Sequence, residues 1–126
     1  MNQTGNAHND IRVAVTEYLQ GMIYGQDDRI RAVMHPLCMQ AGHINQTFEF
    51  IQRDLFIDAI KSEPRLLAGA PFAFEIQMID VTGDIAIAKV SDECFGSRWT
   101  DYLTLIKHDG RWLIIMKAFF EHQNQF

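Results

Sequence analysis

Asp101 and Tyr18 are the residues of this chain whose types and positions could do chemistry together. Asp109-Gly110, set between two alternating runs, is a strong signal for a two-residue hairpin turn. Counting back from that turn sets His108 against Arg111, Leu105 against Ile114, Leu103 against Met116 and Asp101 against Ala118. One face then carries Asp101, Leu103 and Leu105 beside Ala118, Met116 and Ile114. The small Ala118 leaves room in front of the carboxyl, as a ligand cavity requires. A carboxylate on such a face is paired, hydrogen-bonded or protonated, because a bare buried charge is too costly. The alternative is that Asp101 sits near the strand end and reaches water. Tyr18 falls on the apolar stripe of the first helix, so its ring belongs in the core and its hydroxyl needs a partner, in the plainest case a backbone carbonyl. If phenol and acid converge in an apolar cavity, they are two donors aimed at one developing oxyanion.

The elements that would position these groups follow from periodicity. Asn9 or Asp10 can cap a helix that shows Ile11, Val15, Tyr18, Leu19 and Met22 on one face, and Gly25 ends it. Asp27 and Asp28 suit the start of a second, short helix that His35-Pro36 stops. From Leu37 to Ile51 the pattern is a short strand, a turn over Gly42 to Gln46, and another short strand. Gln52 to Lys61 predicts a third helix with Phe56 and Ile60 inward. Phe72, Phe74, Ile76 and Met78 then alternate as one face of a long strand. Thr82-Gly83-Asp84 turns into a strand from Ile85 to about Cys94, with the turn centred on either Thr82-Gly83 or Gly83-Asp84. Trp99–Lys107 and Arg111–Phe120 complete the set. Helices first and long strands afterwards give an α+β domain, three helices packed in a strongly curved antiparallel sheet.

The 126 residues suffice for one domain with its own core, preceded by a flexible tail over residues 1–8. Hydrophobic residues at 48% and charged residues at 21% exclude disorder. The net charge of -5, with basic residues scattered, argues against nucleic acid as a partner. No apolar run approaches the roughly 20 residues of a membrane span. The polar start, Met1 to Asn9, lacks the basic-then-apolar pattern of a signal peptide, which places the protein in the cytoplasm. Cys38 and Cys94 fit neither a zinc spacing nor a redox pair and read as buried small hydrophobes. No metal or organic cofactor is expected.

Several local phrases resemble the nuclear transport factor two-like, cystatin-like cone superfamily, and within it the group named putative lumazine-binding and SnoaL-like. They are Tyr18-Leu19-x-Gly21 with Gly25, Arg29 to Met34 with His35-Pro36, Asp84 to Val90, and Thr100-Asp101-Tyr102-Leu103 with Asp109-Gly110-Arg111-Trp112. Together they span about Ile11 to Phe120. The superfamily includes the ketosteroid isomerases, in which a tyrosine and a protonated aspartate form an oxyanion hole. On that pattern Tyr18 matches the tyrosine and Asp101 the aspartate. The isomerase base falls near Gly42, where this chain has no adjacent carboxylate. His43 is the nearest titratable neighbour and His35 the other candidate. Lumazine is a family label and is not carried over as a ligand.

The resemblance implies a cofactor-independent isomerase, cyclase or dehydratase, or a binding protein, for a small hydrophobic or cyclic ligand. Tyr18, Asp101, His43 and His35 are its candidate catalytic groups. Met34, Phe56, Leu103, Met116, Ala118 and Phe120 are its candidate apolar wall. The competing reading is a non-catalytic association module. The second face of the last hairpin, with Tyr102, Leu113, Ile115 and Phe119 rimmed by Lys117 and Arg111, would suit a homodimer formed through the sheet.

Overall fold

Ile11, Val15, Tyr18, Leu19 and Met22 recur at helical spacing, and all five are buried. They form the inner stripe of α1 (Gln3–Ile23) in the computed structural model, which describes residues 3–122. The helix begins well before the expected cap at Asn9, so the expected flexible tail is helical from Gln3; residues 1 and 2 of it lie outside the described residues. Gly25, at a φ of 65°, turns the chain into α2 (Asp27–Val33). Gly21 lets the two helices close: a Cβ there would stand 2.9 Å from the Ile30 side chain.

Strand follows α2 at once. β1 (Met34–Ile44) and β2 (Thr47–Gln52) pair across Asn45-Gln46, both left-handed, so the turn is tighter and later than the pattern over Gly42 to Gln46 suggests. Near its start β1 carries Pro36, which has no N–H to donate, and its pairing with β6 is interrupted between Met34 and Met39. α3 (Arg53–Lys61) buries Phe56, Ile57 and Ile60. β3 (Phe74–Thr82), β4 (Ile85–Cys94), β5 (Ser97–His108) and β6 (Arg111–His122) follow.

The six strands form one sheet in the order β2-β1-β6-β5-β4-β3. Every neighbouring pair is antiparallel except β1 and β6, which run parallel. The helices lie on one face, α1 over β3 and β6, α3 over β1 and β2. The architecture is thus the expected α+β cone of three helices and a curved sheet. Thr82 pairs with Ile85, which centres the first long hairpin on Gly83-Asp84.

Two irregularities set which side chains look inward. On β3, Ile76 pairs with Val90 but Met78 with Lys89, so Gln77 is an extra residue. The buried face passes from Phe72 and Ile76 to Ile79 and Val81, and Met78 is exposed. On β6, Leu105 pairs with Ile114 as counted, but Thr104 pairs with Met116, leaving Ile115 as the extra residue. Beyond it the expected register is one residue out. Leu103 faces Lys117 and Asp101 faces Phe119, while Met116 and Ala118 move to the other side.

Candidate functional site

The inward row of β4 reads Ala86, Ala88, Val90, Asp92 and Cys94, all buried. Small residues at its start leave room for the helices; polar ones at its end form a wall. β5 adds Asp101 and β6 adds Lys117 and Phe119. Where the helices leave the sheet uncovered, these strands border a cavity of about 220 Å³. Asp92, Asp101, Lys117, Gln40 and Glu49 are among its polar lining residues, with Glu63 and Glu121, and Phe56, Trp99 and Phe119 among its aromatic ones. The volume lies below the ~300–1,000 Å³ of drug-sized pockets, which suits a ligand of one or two rings.

Asp101, only 2% exposed, accepts a 2.9 Å hydrogen bond on Oδ2 from the Tyr18 hydroxyl. Of the alternatives open in the sequence, the two groups converge: Asp101 does not reach water and the Tyr18 hydroxyl bonds it and not a backbone carbonyl. Their arrangement differs from two parallel donors, because Tyr18 is fully buried behind Asp101 and does not border the cavity. The phenol therefore acts on Asp101, and Asp101 borders the cavity. Burial raises the Asp101 carboxyl above its ordinary range, against the opposing pull of Lys117 and of the Tyr18 hydrogen bond. Burial, then the charges on Asp101 and Asp92, raise the Tyr18 phenol well above its ordinary value, so it remains a donor.

Asp92 lies in the same wall. Its Oδ2 accepts from the Cys94 thiol at 3.1 Å, while its buried Oδ1 has no partner. Burial, and then the charge on Asp101, push its carboxyl up to about 6, with Cys94 and Lys117 pulling the other way. Two buried carboxyls acting on each other titrate as a pair. Burial and Asp92 raise the Cys94 thiol, which makes it inert as a nucleophile.

Lys117 is 5% exposed and lies on the same inward face as the acids, on the strand next to that of Asp101. Its ammonium lies 4.2 Å from the Phe56 ring centre, 5.2 Å from that of Tyr18 and 5.5 Å from that of Phe119. Aromatic faces thus take the place of a carboxylate partner. Gln40 donates from Nε2 to Glu49 Oε2 at 2.7 Å, and its buried Oε1 has no partner.

Other expected site residues lie elsewhere. Phe56 borders the cavity; Met34 and Leu103 are buried in the core. The β6 bulge turns Met116, Ala118 and Phe120 onto the outer sheet face, where Phe120 is 61% exposed. The same shift brings Lys117 and Phe119 inward, and Leu113 is also buried, so these three leave the expected association surface. His43 is exposed with its ring against Phe48, and His35 Nδ1 accepts from the Leu37 N–H at 3.0 Å; neither borders the cavity. At Gly42 no side chain fits, since a Cβ would stand 2.5 Å from the Phe119 carbonyl oxygen and 2.7 Å from its ring. Sequence reasoning missed Asp92, Lys117 and Gln40. Counting from the Gly83-Asp84 turn sets Asp92 against Glu75, and nothing local announces the Gln77 bulge that sets it against Phe74 or the bulge that turns Lys117 inward.

Both cysteines are buried and free. Among the described residues no three His, Cys, Asp or Glu side chains could hold a metal ion, and no helix is long and apolar enough to cross a membrane.

Comparison with known proteins places this geometry. An NTF2-like protein of unknown function from Silicibacter pomeroyi superposes with a TM-score of 0.90 at 24% identity, covering 97% of this chain and 100% of that one. One from Shewanella baltica gives 0.83 at 18% identity, covering 98% and 99%. A ketosteroid isomerase-like protein from Erwinia carotovora atroseptica gives 0.70 at 15% identity, covering 92% and 96%. These likenesses establish the NTF2-like fold. No curated protein matches the chain. A family model described as "Putative lumazine-binding" matches residues 6–120. The chain therefore belongs to that family.

Proposed function

We propose that the cavity is a small-molecule site that moves protons on a small hydrophobic or cyclic ligand without a cofactor, in the manner of an isomerase, cyclase or dehydratase. The observation that carries this reading is the buried Tyr18–Asp101 hydrogen bond of 2.9 Å set in the wall of an otherwise aromatic cavity. Tyr18 fixes the Asp101 carboxyl, and burial raises it above its ordinary range, which favours its protonated form. In that form Asp101 gives its proton to a ligand carbonyl oxygen. Asp92, ionised above about pH 6, takes one from an adjacent acidic C–H. One carboxyl gains the proton that the other loses, and the ligand passes from keto to enol form. Asp92 thereby fills the role of base that the sequence left between His43 and His35.

The test is binding of 2-naphthol, a two-ring enol mimic whose fluorescence separates phenol from phenolate. The parent protein should bind it saturably, and Asp101→Asn and Asp92→Asn should each weaken binding by about tenfold or more. Binding unaltered by both substitutions would refute the reading.

The outer sheet face supports a second proposal, a two-fold dimer formed through the sheet. Phe50, Ala41, Ala118 and Tyr102 form one lateral row across four strands, with Phe48 and Phe120 beside it. Tyr102 and Phe120 are 60% and 61% exposed, a contiguous apolar area of the kind that marks interfaces. Sedimentation at low protein concentration should give a dimer, and Phe120→Glu a monomer. A monomeric parent would remove the proposal.

A further inference from the structure

Among the described residues, two buried polar atoms border the cavity without a partner, Asp92 Oδ1 and Gln40 Oε1, and their chemistry limits what the cavity can hold. Both side chains are more than nine-tenths buried. Gln40 cannot be turned round to offer its amide, because its Nε2 donates to Glu49 at 2.7 Å. Asp92 Oδ2 is engaged by the Cys94 thiol, which leaves Oδ1 as the free oxygen. Each atom is an acceptor, and a buried acceptor left unpaired costs roughly 1–3 kcal/mol. They also stand apart, on β1 and β4, with β6 and β5 between them. A ligand that satisfies both must carry donors at its two ends.

Charge points the same way. Asp92, Asp101, Glu49, Glu63 and Glu121 border the cavity against one cation, Lys117. Lys117 would recommend an anion if it stood alone, but its ammonium is already held by three aromatic rings and opposed by the two aspartates. Phe56, Trp99 and Phe119 offer flat surface to a planar ring.

We infer that the ligand is a planar, nitrogen-rich compound of one or two rings that donates hydrogen bonds from N–H groups at both ends, in the class of amidines and amino-substituted heterocycles. The N–H at one end meets Asp92 Oδ1, and that at the other meets Gln40 Oε1. This rests on the proposal that the cavity is a small-molecule site and adds the chemical class of its occupant.

The experiment compares 4-aminobenzamidine with 4-aminobenzoate, which share ring and amine and differ in one end, amidinium against carboxylate. 4-Aminobenzamidine should bind saturably, and 4-aminobenzoate at least about tenfold more weakly. Asp92→Asn and Gln40→Met should each lower the affinity for 4-aminobenzamidine, by about tenfold for the charged partner. Thermal melts of both variants show whether a loss of binding is a loss of fold, and the two-probe comparison on the parent protein needs no variant. Preference for 4-aminobenzoate, abolished by Lys117→Met, would overturn the inference and make Lys117 the anchor. Binding of neither compound while 2-naphthol still binds would overturn the ligand class alone; failure of all three would overturn the site itself.

Discussion

Replacing Asp92 with asparagine should stabilise the protein at neutral pH and leave its stability unchanged in acid. Asp92 is 2% exposed, and its carboxyl rises from an ordinary 3.8 to about 6 on folding. In the native state the group therefore binds its proton more tightly than in the unfolded chain. The stability this contributes is fully present below about pH 3.8 and is lost as pH rises through about 6. At 1.36 kcal/mol for each pH unit, the cost of ionising Asp92 in place comes to about 3 kcal/mol above pH 7. Asparagine is close in shape, can still accept from the Cys94 thiol, and never ionises. Urea denaturation of both proteins from pH 4 to pH 8 measures the difference, in which the other titrating groups largely cancel. The variant should match the parent near pH 4, gain between pH 4 and 6, and hold a plateau of about 3 kcal/mol above pH 7, with an unchanged m-value. A difference that stays flat with pH, or a variant less stable than the parent at pH 8, would refute the reasoning.

Three further outcomes follow from the same geometry. Tyr18→Phe removes the donor to the buried Asp101 carboxyl and should cost about 1–3 kcal/mol, and a double-mutant cycle with Asp101→Asn should show a coupling of about 1 kcal/mol or more by urea denaturation. Gly42→Ala drives a methyl into the Phe119 backbone and ring and should lower stability by at least about 2 kcal/mol; a neutral result would mean β1 and β6 are farther apart than described. Lys117→Met removes the cation that holds Asp92 down, so the Asp92 carboxyl should titrate above about 6, as read by carbon NMR of the side chain.

The helices and the last hairpin were legible because their signals are local. The stripe from Ile11 to Met22 buries as its spacing requires, and Asp109-Gly110, with φ of 51° and 75°, makes the turn that its residue types favour. From there the pairing is right as far as Leu105 with Ile114. It fails where Ile115 is inserted, because the run Leu113-Ile114-Ile115-Met116 is apolar throughout and does not say which residue is extra. That one residue exchanged Met116 for Lys117 in the cavity wall. β4 misleads in another way. Ala86 and Ala88 face the core while Ile85 and Ile87 face outward, the reverse of a simple hydrophobicity rule. The core needed small side chains under the helices, and the outer face is itself apolar. Tyr18 and Asp101 were found because each was the odd group on an apolar face; Asp92 was hidden by the Gln77 bulge, which sets it against Phe74 in place of Glu75.

The central claim is that the cavity holds two coupled carboxyls, both raised above their ordinary range by burial, that answer to a ligand. Carbon NMR titration of the aspartate carboxyls, without and with 2-naphthol, tests it most directly. The account predicts an apparent pKa near 6 for Asp92, one above the ordinary value for Asp101, and displacement of both curves when 2-naphthol is added. Two carboxyls that titrate near the ordinary 3.8 and do not respond to 2-naphthol would contradict it.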